Sequence, residues 1–149
     1  MTPSTSVKLE LPSEIKLIDL VHSATERMAE FAGLDEDEAL NVGLAVREAV
    51  INAMLHGNQE RSELPVNISL TVAQGLLKAV ITDEGAGFDR AGAADPTSGD
   101  NLMRDSGRGL LLMEAFVDSI DFRRRSNGGM EVEMTKSLPS TNDNGDESS

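Results

Sequence analysis

Three short stretches of this chain carry residue types at spacings that could do chemistry. In Glu48-Ala49-Val50-Ile51-Asn52, a carboxylate and an amide stand four residues apart, one helical turn, and His56 extends the line by a second turn. A polar stripe on an otherwise apolar helix faces solvent or a site, because burying an unpaired carboxylate is costly. Facing a site, the carboxylate can polarise a hydroxyl and the amide oxygen can ligate a hard cation. Mg²⁺ suits that role, since it prefers oxygen and is often held by few protein groups plus phosphates. The second stretch, Asp83-Glu84-Gly85-Ala86-Gly87-Phe88-Asp89, follows a β-rich run. An Asp at a strand end can accept from an exocyclic amine, while Gly85 and Gly87 let the backbone approach a flat or phosphorylated ligand and take positive φ. The third, Ser106-Gly107-Arg108-Gly109-Leu110, opens a helix whose bare amides and dipole favour an anion. Arg104 and Arg108 lie beside it in a chain otherwise short of positive charge.

Each stretch has a plainer reading: a wet helix edge, an Asx-capped glycine turn, and a helix start with a lone Gly-x-Gly. A Walker A phosphate loop and the Gly-x-Gly-x-x-Gly dinucleotide fingerprint are both absent.

The elements that must hold these residues can be read from periodicity. Val7 to Leu11 alternates as a short strand, and Ser13 is a candidate N-cap for a helix with an apolar face of Ile18, Val21, Ala24, Met28 and Phe31. Gly33 can end that helix. Asp35 and Glu38 form an Asp variant of the capping box, with Leu34 and Ala39 as a staple, and open a second, largely buried helix reaching about His56. Val66 to Ala73 and Leu76 to Thr82 read as a hairpin across Gln74-Gly75. Residues 89–106 show no period and form a loop of a length that is uncommon unless functional or mobile. A helix from Gly109 to about Phe116 follows, then Ser119 to Arg125 and Met130 to Lys136 about Ser126-Asn127-Gly128-Gly129, a second hairpin. The order β-α-α-β-β-loop-α-β-β predicts a two-layer α/β sandwich with a mainly antiparallel sheet.

Composition bounds the rest. With 149 residues the chain suits one domain, expected over residues 7–138, between disordered residues 1–6 and a disordered acidic tail at 139–149. No apolar run approaches the span of a bilayer, and no basic-then-apolar leader pattern is present, so a cytoplasmic protein with no membrane partner is expected. Zero cysteines exclude disulfides, thiolate catalysis and Cys-ligated zinc. A net charge of −13 disfavours direct nucleic-acid binding. Arg123-Arg124-Arg125 reads as a solvated strand edge, His22 as a boundary residue of its helix, and the cluster Asp35 to Glu38 as a helix start that could also dock a basic surface.

In combination and in this order, the three stretches resemble the N, G1 and G2 boxes of the GHKL (Bergerat-fold) ATPases. Within that superfamily the chain is most similar to the small anti-sigma-factor serine-protein kinases of bacteria. The matching phrases are Glu48 to Asn58 (Glu-Ala-Val-Ile-Asn-Ala-Met-Leu-His-Gly-Asn), Asp83 to Asp89, and Ser106 to Met113, and the similarity runs from about residue 10 to 138. The resemblance implies a mixed, mainly antiparallel sheet with helices on one face. It implies ATP and Mg²⁺ as cofactors, with Asn52 the metal ligand, Glu48 the general base toward a serine hydroxyl, and Asp83 the acceptor for the adenine amine. Gly85 and Gly87 would shape the base pocket with His56 nearby. Gly107 and Gly109, flanked by Ser106 and Leu110, would offer amides to the phosphates, and residues 90–106 would close as a lid. Arg108 as a phosphate or transition-state contact is an electrostatic expectation.

The implied partners are an anti-anti-sigma (STAS) protein carrying the acceptor serine or threonine and a sigma factor; relatives are commonly homodimers. Two other functions stay open: an ATP-dependent partner switch with little or no turnover, and a sigma antagonist that no longer binds nucleotide. One departure is visible. Many relatives carry Gly-Thr at the start of the last strand, where this chain has Gly129-Met130, which puts the hydroxyl's contact to adenine in doubt.

Overall fold

The structure, a computed structural model, describes residues 4–85 and 107–139. The expected lid, Arg104, Gly87, Ser106 and the tail from residue 140 lie outside the described residues. Within them the elements are β1 (Thr5–Pro12), a 3-10 turn (Ile15–Leu17), α1 (Ile18–Phe31), α2 (Glu36–Asn52), a π turn (Ala53–Gly57), β2 (Pro65–Ala73), β3 (Leu76–Thr82), α3 (Gly107–Phe116), β4 (Ser119–Arg124) and β5 (Met130–Ser137). The five strands form one sheet in the order β1-β2-β3-β5-β4. All four pairings are antiparallel, so the mixed component of the expected sheet is not seen among the described strands.

Period-two patterning sets which face the helices cover. Ile68 pairs with Ile81 and Ile81 with Val132, while Leu70 pairs with Ala79 and Ala79 with Met134. These six share one face and are almost wholly buried, against Val21, Met28, Val46, Val50 and Met113 of the helices. Burying a residue such as Ile68 contributes about 1.5–3 kcal/mol relative to leaving it in water. The opposite face is polar, with Lys78 and Arg123 reaching Glu133, and Arg123 also 2.7 Å from Glu131.

The ends of the elements follow local chemistry where the sequence supplies it. Gln74 (φ 54°) and Gly75 (φ 77°) make the tight β2–β3 turn, and Gly33 (φ 106°) takes the left-handed conformation that stops α1. The capping box forms as expected: Glu38 N–H donates to Asp35 Oδ1 at 2.8 Å, and Asp35 N–H reaches Glu38 Oε1 at 3.4 Å.

Four details differ from the sequence reading. Strand β1 begins at Thr5, so residues 5 and 6 leave the expected disordered terminus and pair with Val72 and Thr71. Ser13 caps no helix; it is buried and donates to Leu64 O at 2.7 Å. Phe31 leaves the apolar face of α1 and is 66% exposed, the buried stripe instead taking in Thr25, whose hydroxyl satisfies itself on Val21 O. His22 turns inward between α1 and α2. Its Nε2 is buried with no hydrogen-bond partner among the described residues, against Gly43, where a Cβ would lie 2.8 Å from that nitrogen. Among the described residues, no helix is long and apolar enough to cross a membrane.

The capping box supplies the first test of this account. Asp35→Ala removes the acceptor that satisfies the Glu38 N–H. Urea unfolding should show a loss of about 1 kcal/mol with an unchanged slope on denaturant. A loss within error would mean that the box is not holding the start of α2.

Candidate nucleotide site

The polar stripe of α2 reaches its site because the helix changes pitch at its end. After Asn52 the chain enters the π turn, closed by Asn58 N–H donating to Ala53 O at 2.8 Å, five residues back. Such widened turns often mark functional sites. This one leaves Asn52, His56 and Gly57 lining the same pocket, together with Asp83, Ile81, Phe122, Met130 and Val132. The pocket opens to solvent, and its empty space including that open mouth is about 410 Å³. Its lining is mostly apolar, with few polar groups aimed inward. That composition suits a flat, partly polar ring.

Asp83 is the buried anchor of this pocket, only 4% exposed. Its N–H donates to Met130 O at 3.0 Å, and its Oδ1 accepts from Met130 N–H at 3.1 Å. The side chain is thus clamped by the first residue of β5, and the backbone N–H of Met130 holds it whatever side chain stands there. Met130 itself adds an apolar wall and no hydroxyl, so the departure from Gly-Thr removes a side-chain polar group while keeping the main-chain contact. Two glycines make the fit possible. A Cβ on Gly57 would collide with the Asp83 carboxylate, and one on Gly129 with the Asp83 carbonyl oxygen. Burial pushes the Asp83 carboxyl up from its ordinary 3.8 to about 6. The N–H groups of Met130 and Gly85 and the charge of Arg125 pull the other way, and the charge of Glu84 adds to the rise.

The strand-end loop is held by a residue whose role the sequence reading did not assign. Asn58, fully buried, donates through Nδ2 to Ser13 Oγ (3.0 Å), Leu64 O (3.3 Å) and Pro65 O (3.1 Å). Its Oδ1 accepts from Glu84 N–H (2.8 Å) and Gly85 N–H (3.2 Å). One amide side chain therefore ties the end of the helix, the start of β2 and the first turn after β3 together. Its position just after the helix-ending Gly57 was the available signal, because Gly-Asn is a helix-stop pair. Gly85, at φ 62°, occupies the left-handed region, and a Cβ there would strike the Gly128 carbonyl.

Glu48 stands one turn before Asn52 and meets the third stretch. A Cβ on Gly109 would lie 2.5 Å from Glu48 Oε1, so the carboxylate sits against the first turn of α3. Helix α3 begins at Gly107, two residues earlier than expected, and Gly109 is buried. Leu110 packs against the core. The side chain of Arg108 lies outside the described residues. The structure thus brings Asn52, His56 and Asp83 around one pocket, holds Gly85 beside Asn58 and Gly128 just beyond it, and sets Glu48 beside Gly109. Arg125 corrects the expected solvated edge: Arg123 and Arg124 are exposed on β4, while Arg125 is half-buried and its Nη1 donates to Asp83 O at 2.6 Å.

These features define a class: a two-layer α/β domain in which a helix stripe and a strand-end carboxylate share one pocket, while the same helix sets a carboxylate against a glycine-opened helix start. Residues 11–136 match the histidine kinase-like ATPase domain family, and the chain belongs to it. It is similar to the serine-protein kinase RsbW of Staphylococcus aureus, at 27% identity over 137 residues that cover 87% of this chain and 85% of the relative, in both strains bovine RF122 / ET3-1 and MRSA252. Its fold is similar to that in the crystal structure of the RsbU and RsbW domains of Rv1364c from Mycobacterium tuberculosis, with a TM-score of 0.64 at 20% identity. That match covers 91% of this chain and 33% of the mycobacterial one, so this chain spans about a third of that protein's length. The SiaB–SiaC complex of Pseudomonas aeruginosa gives a TM-score of 0.59 at 14% identity, covering 87% and 88% of the two chains.

Two outcomes test the anchor and its brace. Asn58→Ala leaves the part-buried Glu84 and Gly85 amides without their shared acceptor and opens a void at a fully buried position, and chemical unfolding should show a loss of about 3 kcal/mol; a loss below about 1 kcal/mol would contradict the brace. Asp83 takes up its proton more readily folded than unfolded, so its contribution to stability is full below 3.8 and lost as pH rises through about 6. From about pH 5 to about pH 7.5, wild type should lose about 1.4 kcal/mol relative to Asp83→Asn. A pH-independent difference between the two proteins would show that the carboxyl is not buried as described.

Proposed function

We propose that this protein is a Mg·ATP-dependent serine/threonine-protein kinase that phosphorylates a STAS-domain anti-anti-sigma protein and sequesters a sigma factor. The observation that carries the reading is the placement of Glu48 against Gly109 while Asn52, one turn along the same helix, enters the pocket closed by Asp83. A carboxylate at the start of a helix that binds phosphates is where a general base must stand to take a proton from an attacking hydroxyl.

The donor set fits the metal. Among the described residues no group of three or more His, Cys, Asp or Glu forms a cage. A single amide oxygen on the pocket wall suits Mg²⁺, which keeps its waters and takes most of its other ligands from phosphates. Asn52 would hold the ion, whose chemistry is to neutralise charge on the phosphates. Asp83, with one oxygen fixed by Met130, would present the other to the adenine amine, and Gly85 would shape the wall beside it with Gly87. His56 would flank the base. The amides of Gly107 and Gly109, with Ser106 and Leu110 on either side, would meet the phosphates, and Arg108 would add positive charge as phosphoryl transfer spreads negative charge over oxygen. Residues 90–106 would close over them.

The partner side of the proposal rests on similarity to RsbW serine-protein kinases and on two surfaces. Leu20 (55% exposed) and Phe31 (66%) leave apolar area on α1, which favours a protein contact such as a homodimer. The acidic first turn of α2, Glu36 to Glu38, favours a basic partner such as a sigma factor. A cytoplasmic setting follows from that partnership.

With Mg·ATP and its STAS partner, wild type should yield phosphoserine or phosphothreonine on the partner. Glu48→Gln should lower that transfer about a thousandfold and leave ATP affinity within about threefold. Robust transfer by Glu48→Gln would sink the general-base role. Tight ATP binding with no transfer to any STAS protein would make the protein a partner switch instead.

A further inference from the structure

The β3–β5 ladder ends at the pocket. Thr82 pairs with Glu131, and Asp83 still exchanges bonds with Met130, but beyond that point β5 gives way to the Ser126–Gly129 turn. The Asp83 carbonyl is the next acceptor in line, and Gly129, bare of a side chain, lies against it without donating to it; its own N–H is taken by Asn127 Oδ1 at 2.9 Å. Arg125 supplies the missing donor. Its Nη1 reaches Asp83 O at 2.6 Å and stands 3.5 Å from Glu84 Oε2, while Asn127 Nδ2 donates to Glu84 Oε1 at 3.3 Å. Charge-assisted bonds of this kind are about twice as strong as neutral ones.

The consequence is directional. The peptide between Asp83 and Glu84 is gripped on its carbonyl side by Arg125 and on its N–H side by Asn58. With both ends of that peptide plane fixed, the Cα–Cβ bond of Asp83 has one orientation, and its carboxylate meets Met130 N–H on one oxygen and the bare Cα of Gly57 near the other. We propose that Arg125, backed by Glu84 and Asn127, is a positioning residue that aims the Asp83 carboxylate at the ligand and so sets selectivity for a purine with an amine at its 6-position over one with a carbonyl there. Arg125 does not line the pocket itself. It acts through the backbone of the residue that does, from a hairpin turn on the far side of β5. The selectivity half rests on the nucleotide reading above; the positioning half rests on the hydrogen bonds alone.

The test separates the two. In the free protein, Arg125→Met should speed amide exchange at Met130, Glu84 and Gly85 about tenfold and leave the β2–β3 amides unchanged. By calorimetry, the same variant should lose about tenfold in ADP affinity but not in GDP affinity, shrinking the ADP-to-GDP ratio by that factor. Arg125→Lys, which keeps a charged donor, should recover most of the loss. A general weakening of the fold would instead lower both affinities together and leave their ratio intact. Should Arg125→Met fail to fold, Glu84→Gln keeps the guanidinium but loosens its anchor, and about a threefold fall in the ratio is expected.

An unchanged ratio together with unchanged exchange in either folded variant overturns the proposal. If wild type prefers neither nucleotide, the adenine reading falls; the exchange arm then still decides whether Arg125 positions Asp83.

Discussion

The hydrogen bond from Met130 N–H to the buried Asp83 carboxylate is the constraint around which the site is arranged. A carboxyl that is nearly sealed from water must be compensated, because an isolated charge in a low-dielectric interior is expensive. The surrounding residues answer that demand one by one. Gly57 has no side chain because the carboxylate fills the space, and Gly129 has none because the Asp83 carbonyl does. Asn58 fixes the two amides that follow, and Arg125 fixes the carbonyl. The displaced titration of Asp83 is the residue of that balance: burial wins over three stabilising partners, leaving a group that is charged at neutral pH but only by a modest margin. A ligand amine in the pocket would complete the compensation that the protein leaves unfinished.

The net charge of −13 takes on a more local meaning against this arrangement. Part of the acid is structural. Glu36, Asp37 and Glu38 sit in the first turn of α2, where the helix dipole favours them, and Glu131 and Glu133 gather Arg123 on the open face of the sheet. At the pocket the described cation is Arg125, and it faces the backbone rather than the opening. Any polyanion entering would therefore depend on the helix-start amides of α3, a metal ion, and the Arg104 and Arg108 side chains that lie outside the described residues.

What could be read from the sequence was what short-range chemistry determines. The capping box, the Gln74-Gly75 turn, the Gly33 stop and the alternation of β2 and β3 each need only a few neighbouring residues, and each formed where expected. The helical spacing of Glu48, Asn52 and His56 was legible for the same reason, although the π turn that seats His56 was not. Ser13 looked like a cap because a serine before an apolar run usually is one; its actual partners, Leu64 and Asn58, lie 51 and 45 residues away. Arg125 looked like one of three edge cations, and only the return of β5 beside β3 brings Asp83, 42 residues distant, within reach. His22 was legible in part: it is half-buried, as a boundary residue is, but the small residue across the interface, Gly43, is what lets its Nε2 sink away from water. Antiparallel order throughout the described sheet likewise depends on which strand β5 joins, and nothing local specifies that.

The two halves of the candidate site are built with different tolerance for change. Around Asp83, each main-chain group is held by a partner from another element, so this end is rigid by construction. At the other end, Glu48 meets α3 through a contact that exists only because residue 109 has no Cβ. Any displacement of the first turn of α3, whether by phosphates drawn to its amides or by their departure, changes the surroundings of the Glu48 carboxylate directly. Under the proposed function this couples nucleotide state to the base without a long chain of intermediates: the helix that would grip the phosphates is the surface on which the base rests. Under the same proposal, a rigid end at Asp83 and a responsive end at α3 would let the protein hold one nucleotide throughout while altering its reactivity toward a partner.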